Sequence, residues 1–342
     1  MSWQATHPPQ WLPPSPRVLS QPPANPPGGN AKDKRWAPGS PQAGRFRVSG
    51  AGKVLAPRRQ SRYPERPVLP NFRVSMSLKI ASWNINSVRL RIDLVARLLD
   101  ETAPDVICLQ ETKCMEAQFP LAAFSARGYV HAAMTCQKGY HGVAILSRVP
   151  FAAVDRYRFG GKEDARHISV TFGEGRAEGI TLHNFYVPAG GDIPDPQLNP
   201  KFAHKLAYLD ELRGWTSAAV PARTILVGDL NVAPLPDDVW SHRQMLGVVS
   251  HTPAETERLL GVIEDGKWVD AVRKLRPEPE RVYTWWSYRS PNWEASDRGR
   301  RLDHVWVSRD LDGAVGTVDI LKPARGWERP SDHVPIVAHF AL

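Results

Sequence analysis

Eight polar residues lie at or beside the ends of predicted β-strands, which is where catalytic groups of α/β sheets gather. They are Asn84, Glu111, Tyr186, Asp229, Asn231, Asp303, Asp332 and His333. Any one of them alone is typical of a turn or a helix cap. Carboxylate and amide oxygens are good ligands for Mg²⁺ or Mn²⁺, and the three cysteines have no metal-ligand spacing. Together the eight residues indicate a divalent-metal site that acts on a phosphate ester.

Hydrolysis of a phosphodiester needs a cation to offset the phosphate charge, a base for the attacking water and a donor for the phosphoryl oxygens. Glu111 has the chemistry to hold the cation. Asp229 can accept the water proton, and Asn231 can orient that water. These three residues therefore form the predicted water-activating side of the site.

An acid–imidazole pair completes the predicted chemistry. His333 can bind a phosphoryl oxygen, while Asp303 fixes the tautomer of that imidazole and raises its pKa. Tyr186 can donate to the same phosphate or lie near it. The residue types thus predict a hydrolase of phosphate esters.

The elements that must position these groups begin near residue 78. Apolar runs bounded by turn residues predict strands at 78–84, 105–110, 143–146, 167–172, 180–187, 224–230, 302–308, 317–321 and 334–340. Apolar residues at helical spacing predict helices at about 88–101 and at 201–215, with a further helix at 256–265. Grouped strands with interspersed helices predict one α/β domain at 76–342, with two packed sheets flanked by helices.

The first 75 residues differ from the rest of the chain. They hold 15 of the 32 prolines and a net charge of +10, whereas the remaining residues have a net charge of −1. Such a segment buries too little apolar area to offset its chain entropy, so 1–75 is predicted to be disordered. It is either a basic tail that adds DNA affinity or an artefact of a start that belongs at Met76. We favour the second interpretation.

Composition excludes two classes of protein. No apolar run reaches the length of about 20 residues that a membrane span needs. Three cysteines, Cys108, Cys114 and Cys136, do not make a disulfide scaffold. Since no targeting signal is visible, a bacterial-type, nucleoid-associated cytoplasmic location is predicted. A nuclear or organellar location remains open.

Eight short motifs resemble those of the exonuclease III family, the AP endonucleases of the endonuclease/exonuclease/phosphatase superfamily. In chain order they are WNIN (83–86), LQETK (109–113), GVAILS (142–147), NFYVP (184–188), GDLN (228–231), WWSYRS (285–290), RRLDHVWVS (300–308) and PSDHVPI (330–336). The resemblance spans about 76–342. It implies a four-layer α/β sandwich with two mixed sheets, and it implies Mg²⁺-dependent cleavage of DNA.

The resemblance also assigns roles to positions of this sequence. The implied metal-side residues are Asn84, Glu111, Asp229, Asn231, Asp332 and His333, with Glu111 as the direct ligand. The implied catalytic residues are Tyr186, Asp229, Asn231, Asp303 and His333. Trp285 matches an aromatic residue that packs against the abasic nucleotide. The candidate phosphate contacts are Lys113, Arg166 and Arg289, with Arg89 beside the first motif.

The resemblance therefore implies an exonuclease III-like enzyme that incises 5′ to abasic sites and degrades duplex DNA 3′→5′. Its expected partners are Mg²⁺ (or Mn²⁺) and double-stranded DNA with abasic sites or blocked 3′ ends, and it is expected to be a monomer. The alternative is another superfamily phosphohydrolase that acts on RNA or a small phosphate ester. A non-catalytic DNA-binding module that uses the basic tail is the third hypothesis. Ala189 stands where some family members have Asn or Gln, which affects fine substrate preference.

Overall fold

Two six-stranded β-sheets form the centre of the part of the chain that the structure describes. The structure, a computed structural model, describes residues 77–342. The strands are β1 (Ser77–Asn84), β2 (Val106–Gln110), β3 (His131–Thr135), β4 (Val143–Ser147), β5 (Phe151–Asp155), β6 (His167–Phe172), β7 (Thr181–Tyr186), β8 (Thr224–Asp229), β9 (Val269–Asp270), β10 (Asp303–Val307), β11 (Val315–Ile320) and β12 (Ile336–Ala341). Their order is β11-β12-β1-β2-β4-β3 in the first sheet and β5-β6-β7-β8-β10-β9 in the second.

Both sheets contain one parallel pair among antiparallel neighbours. β1 runs parallel to β2, and β7 runs parallel to β8. Residues from both sheets share one core cluster, which includes Ile80, Ile145, Leu182 and Val227. The sheets therefore pack face to face. The carboxyl ends of β1, β2, β7 and β8 meet at one edge, where Asn84 of β1 bonds to Asp229 of β8.

Helices cover both outer faces. They are α1 (Ile92–Thr102), α2 (Leu121–Ser125), α3 (Pro200–Ala218), α4 (His242–Met245), α5 (Pro253–Asp265), α6 (Ala271–Leu275) and α7 (Trp293–Ser296). Short 3₁₀ turns lie at Glu116–Gln118, Gly175–Ala177, Pro236–Asp238, Arg309–Ala314 and Lys322–Gly326. Leu98 of α1 packs on the first sheet, while Leu209 of α3 and Leu259 of α5 pack on the second. The predicted four-layer sandwich is confirmed.

The predicted start of the first helix is wrong by four residues. Asn86 and Ser87 have left-handed backbones with φ of 48° and 86°. The N–H groups of Ser87 and Val88 donate to the carbonyls of Glu111 (2.7 Å) and Thr112 (3.2 Å). These bonds hold the chain against the end of β2, so α1 begins only at Ile92.

The predicted disorder of 1–75, its two interpretations and the domain boundary at 76 lie outside the described residues. Among residues 77–342, no helix has both the length and the apolar character needed to span a bilayer.

A pair of buried histidines lies between the second sheet and α3. The backbone N–H of Tyr157 donates to His167 Nδ1 (3.0 Å), so the His167 proton is on Nε2, which lies 3.0 Å from His183 Nδ1. Both imidazoles are therefore neutral. Burial lowers the pKa of His183 to about 3, and it lowers the pKa of His167 well below its usual value.

We expect the free energy of unfolding to fall between pH 7.5 and 5.0, because the unfolded chain binds protons that the folded pair excludes. For each such histidine, the free energy of unfolding falls by about 1.4 kcal/mol per pH unit below the pKa that the histidine has in the unfolded chain. The fall amounts to about 2 kcal/mol at pH 5.0. The His183→Asn variant keeps an oxygen that can accept from His167 Nε2, and it removes one titratable group. Urea unfolding at both pH values should show that the free energy of unfolding falls by about 2 kcal/mol less in this variant than in the parent protein.

His131→Asn, at a partly exposed position, is the matched control for the loss of a histidine side chain. An equal loss in His183→Asn and the parent protein would contradict the neutral state of the folded pair.

Candidate active site

A hydrogen-bond network joins the two sheets at the edge where the parallel strands end. Asn84 Nδ2 donates to Glu111 Oε1 (2.9 Å) and to Asp229 Oδ2 (2.8 Å). The hydroxyl of Tyr186 donates to the same Glu111 oxygen (2.9 Å). These residues end or directly follow β1, β2, β7 and β8, so the topology brings together four of the predicted site residues.

Asn231 folds back onto Asp229. Its backbone N–H donates to Asp229 Oδ1 (2.9 Å), and its Nδ2 donates to Asp229 Oδ2 (3.0 Å) and to the Val187 carbonyl (2.9 Å). Asn231 has a left-handed backbone with φ of 55°, a conformation that Asn tolerates better than most residues. The turn therefore fixes both oxygens of the Asp229 carboxylate.

His333 stands between two buried carboxylates. Its Nδ1 donates to Asp303 Oδ2 (2.8 Å), which leaves Nε2 at 3.7 Å from Asp229 Oδ2. Asp303 pairs with Asp229 in the register of β10 and β8, so adjacent strands supply both carboxylates. Trp83 Nε1 donates to the His333 carbonyl (2.9 Å) and fixes the backbone there. The predicted acid–imidazole pair is formed.

The protonation states follow from burial and neighbouring charges. Burial lowers the pKa of His333, but the Asp303 and Asp229 carboxylates outweigh it and raise that pKa above its usual value. Burial raises the pKa of Asp229, against the opposing effect of His333. Burial also favours a higher pKa for Glu111, yet the Lys113 ammonium and the Asn84 amide hold it below the usual range. At neutral pH Glu111 is a carboxylate and His333 an imidazolium.

A second set of polar contacts extends the network toward the first and last motifs. Lys113 Nζ lies 2.6 Å from Glu111 Oε2 and donates to Asn86 Oδ1 (2.5 Å). Asn86 Nδ2 donates to Asp332 Oδ1 (3.2 Å), and Trp285 Nε1 donates to Asp332 Oδ2 (2.9 Å). Asn86 was missed by the sequence analysis, although it ends the WNIN motif.

Arg166 lies behind Tyr186. Its guanidinium carbon is 4.9 Å from the centre of the Tyr186 ring, and Nη1 donates to the Tyr186 carbonyl (3.4 Å). Its Nε pairs with Asp164, and its Nη2 lies 3.3 Å from His141 Nε2. The side chain is buried and bonded to protein groups. Its most direct structural effect is therefore on the position of Tyr186.

A cleft of about 440 Å³ opens over the network. Glu111, Asn231 and His333 line it, and Trp285 forms part of one wall. Three apolar residues extend that wall, Val248, Val249 and Leu302. The sequence analysis missed these residues because aliphatic side chains carry no chemical signal, whether they come before a helix, as Val248 and Val249 do, or before a strand, as Leu302 does. Among the predicted phosphate contacts, Arg289 is exposed at the cleft, while Arg89 is exposed and is not part of its lining.

The model of the Endonuclease/Exonuclease/phosphatase family matches residues 81–333, well over half of the chain. The chain belongs to this family. It is 30% identical over 274 residues to exodeoxyribonuclease III of Haemophilus influenzae, covering 77% of this chain and 100% of that protein.

Two solved structures of the family are similar as well. An AP endonuclease from Archaeoglobus fulgidus has a TM-score of 0.70 and 33% identity, over 78% of this chain and 100% of that one. A 3′ phosphatase from Neisseria, bound to a product DNA hairpin, has a TM-score of 0.68 and 29% identity, with the same coverage. Family membership and these relatives identify the chain as a nuclease of the exonuclease III type and a metal-dependent phosphodiester hydrolase.

Enzymes of the family depend on a divalent metal, and the residues present fit such a cation. Ligand atoms of Asp229, Asp303 and His333 lie within 4.8 Å of one another, and all three residues are buried. The His333 imidazolium has no free lone pair, so the carboxylate oxygens carry the fit to a cation. Asp303 Oδ1 is buried with no hydrogen-bond partner among residues 77–342. With Glu111 at the same cleft, the donor set is rich in carboxylate oxygen, which suits a hard cation.

Proposed function

We propose that this chain is a Mg²⁺-dependent DNA-repair nuclease that incises 5′ to abasic sites. We propose further that it degrades duplex DNA 3′→5′ and acts on blocked 3′ ends. The observation that carries the proposal is the convergence of residues from four strand ends onto one cleft with an apolar wall. The DNA named in the relatives' activities supports a DNA substrate.

The protein groups supply a donor and a base next to each other at the cleft, since His333 Nε2 lies 3.7 Å from Asp229 Oδ2. The His333 imidazolium donates from Nε2 to a phosphoryl oxygen, while Asp303 holds Nδ1 and keeps the ring oriented. Asp229 accepts the proton of the attacking water, and Asn231 orients that water. A raised pKa makes the Asp229 carboxylate a stronger base than an ordinary Asp.

Asn84, Glu111 and Asp332 are the proposed metal-side residues, beside Asp229 and Asn231, whereas His333 lies next to them as an imidazolium that donates and has no free lone pair for a cation. When bound, Mg²⁺ offsets the charge of the phosphate, and Mn²⁺ has a similar preference for oxygen ligands. Burial and Glu111 raise the pKa of Tyr186 well above its usual value, so its hydroxyl stays protonated and orients Glu111.

The apolar wall provides a place for a nucleotide that lacks its base. Such a sugar leaves the base stack at low cost, because it has no pairing and no stacking to lose. Trp285, Leu302 and Val249 would then cover it. Arg289 would contact a phosphate from the cleft edge, and Lys113 would do so from its position beside Glu111. Arg166 is buried behind Tyr186, so it would act by positioning that ring.

A duplex with one tetrahydrofuran abasic site tests this function. We expect incision 5′ to that site in Mg²⁺ and none in EDTA. An internal position that carries a normal nucleotide in the same duplex should stay uncut. Product lengths on a denaturing gel measure both outcomes. An intact abasic duplex in Mg²⁺, with cleavage of RNA or a small phosphate ester instead, would favour the alternative phosphohydrolase.

The proposed monomeric state and bacterial-type cytoplasmic, nucleoid-associated location rest on the sequence.

A further inference from the structure

Lys205 of α3 is fully buried directly beside the active site. Its ammonium pairs with Glu255 of α5 and donates to the carbonyl oxygens of Asn231 (2.7 Å) and Ala189 (3.3 Å). An ammonium carries three protons, and these three acceptors can take all of them. The side chain therefore links two helices to two loops.

The two carbonyls belong to the loops that carry site residues away from β7 and β8. Ala189 follows Tyr186 by three residues, and Asn231 follows Asp229 by two. The left-handed backbone of Asn231 is a strained conformation that surrounding contacts must hold. Lys205 supplies one of these contacts and is not among the residues that line the cleft.

Glycine at position 190 makes room for this lysine. A Cβ on Gly190 would lie 2.8 Å from Lys205 Cδ and 3.1 Å from Val249 Cγ1, and the residue has a φ of 88°. The loop after β7 is thus shaped around the lysine stem, and it packs against an apolar residue of the cleft wall.

Glu255, the remaining partner of the Lys205 ammonium, is itself held by backbone N–H groups. Its carboxylate accepts from the backbone N–H groups of Ser250 (2.9 Å) and Thr252 (3.2 Å) at the start of α5. The Ser250 carbonyl in turn accepts from the N–H of Ala233 (2.8 Å), two residues beyond Asn231. The ion pair therefore connects three segments around the cleft. Replacing a buried ion pair with apolar groups often costs no stability, so stability alone gives little reason for this one.

We propose that Lys205 is a positioning residue of the active site: its ammonium holds the Ala189 and Asn231 carbonyls and so fixes Asp229 and Asn231 relative to Tyr186. The inference rests on the proposed roles of Asp229 and Asn231. Because Lys205 is fully buried, it has no contact with DNA. Its loss should therefore lower kcat and leave DNA affinity nearly unchanged.

The double variant Lys205→Met/Glu255→Gln tests this proposal. Methionine keeps the length of the stem, and glutamine keeps an acceptor for the Ser250 and Thr252 N–H groups, so no buried charge is left unpaired. We expect thermal unfolding close to that of the parent protein, a kcat lowered roughly 10- to 100-fold and a Kd for the tetrahydrofuran duplex within about threefold. Single-turnover incision and fluorescence anisotropy in EDTA measure the two quantities.

Arg213→Met is the matched control, because Arg213 joins α3 to Asp265 of α5 through an exposed ion pair about two helical turns from Lys205. It should retain full kcat. A double variant with kcat within threefold of the parent protein would overturn the proposal and leave Lys205 a purely structural residue. A loss seen only as weaker DNA binding would overturn it too. Asp229→Asn in the same assay tests the proposed function separately, since its outcome does not depend on Lys205.

Discussion

Replacing Asp229 with Asn is expected to lower the rate of abasic-site incision about 10³-fold or more, because the variant has no group to accept the proton of the attacking water. Asparagine has the same shape and retains an oxygen for the Asn84 or Asn231 donor. Burial already disfavours the charged form of Asp229, but the NH₂ of asparagine loses at least one of the bonds that the two carboxylate oxygens accept, so thermal unfolding must show that the variant is folded at the assay temperature. Single-turnover kinetics at saturating enzyme report the loss directly.

The same variant should still bind the tetrahydrofuran duplex within about threefold of the parent protein, since the residue contributes to proton transfer rather than to the cleft wall. Asp319→Asn, on the exposed face of the edge strand β11, is the matched control and should be fully active. Rapid incision by Asp229→Asn would remove the proposed base. A large loss of DNA affinity would instead place Asp229 among the binding residues.

The convergence of the candidate site residues was predictable because these residues lie at positions that the sheet topology controls. Glu111 directly follows a buried run of five residues, and Asp229 ends another of six. A parallel pair in each sheet then brings both carboxylates to one edge. Fold class and strand ends suffice to place such residues, which is why motif and structure agree there.

The supporting contacts were not predictable, because they depend on side-chain directions across the tertiary structure. Lys205 lies on a helix face where a lysine is usually solvated, and only the packing of α3 on α5 shows that it is buried. Arg166 was predicted to contact phosphate, and its place behind the Tyr186 ring follows from a bond to the Tyr186 carbonyl. The burial of Lys205 and the position of Arg166 therefore could not be predicted from any periodic pattern in the sequence.

Short elements also escaped prediction, and for a local reason. β5 has four exposed residues in succession, so it shows no alternation of apolar and polar side chains. β9 has only two residues. Such strands form because a neighbouring strand offers hydrogen bonds, and that information is absent from their own sequence.

Replacing Asp303 with Asn is expected to have the second large effect on the incision rate, because it alters the charge on His333 without removing the hydrogen-bond partner of that residue. Asparagine can still accept from His333 Nδ1, but the carboxylate that opposes the desolvation of the imidazolium is gone. The pKa of His333 should fall, and a smaller fraction of the enzyme carries the donor proton at pH 8. We expect the incision rate at pH 8 to drop about 100-fold.

The pH profile of this variant has a definite sign. Asp303 raises the pKa values of both His333 and Asp229, so its neutralisation should move the alkaline and the acidic limbs of the rate profile to lower pH together. The deficit relative to the parent protein should therefore shrink as the pH falls from 9 to 6. Incision rates measured at saturating Mg²⁺ across that range test this expectation. A uniform loss at every pH would show that Asp303 only orients the imidazole, and the assignment of His333 as a charged donor would then have to be abandoned.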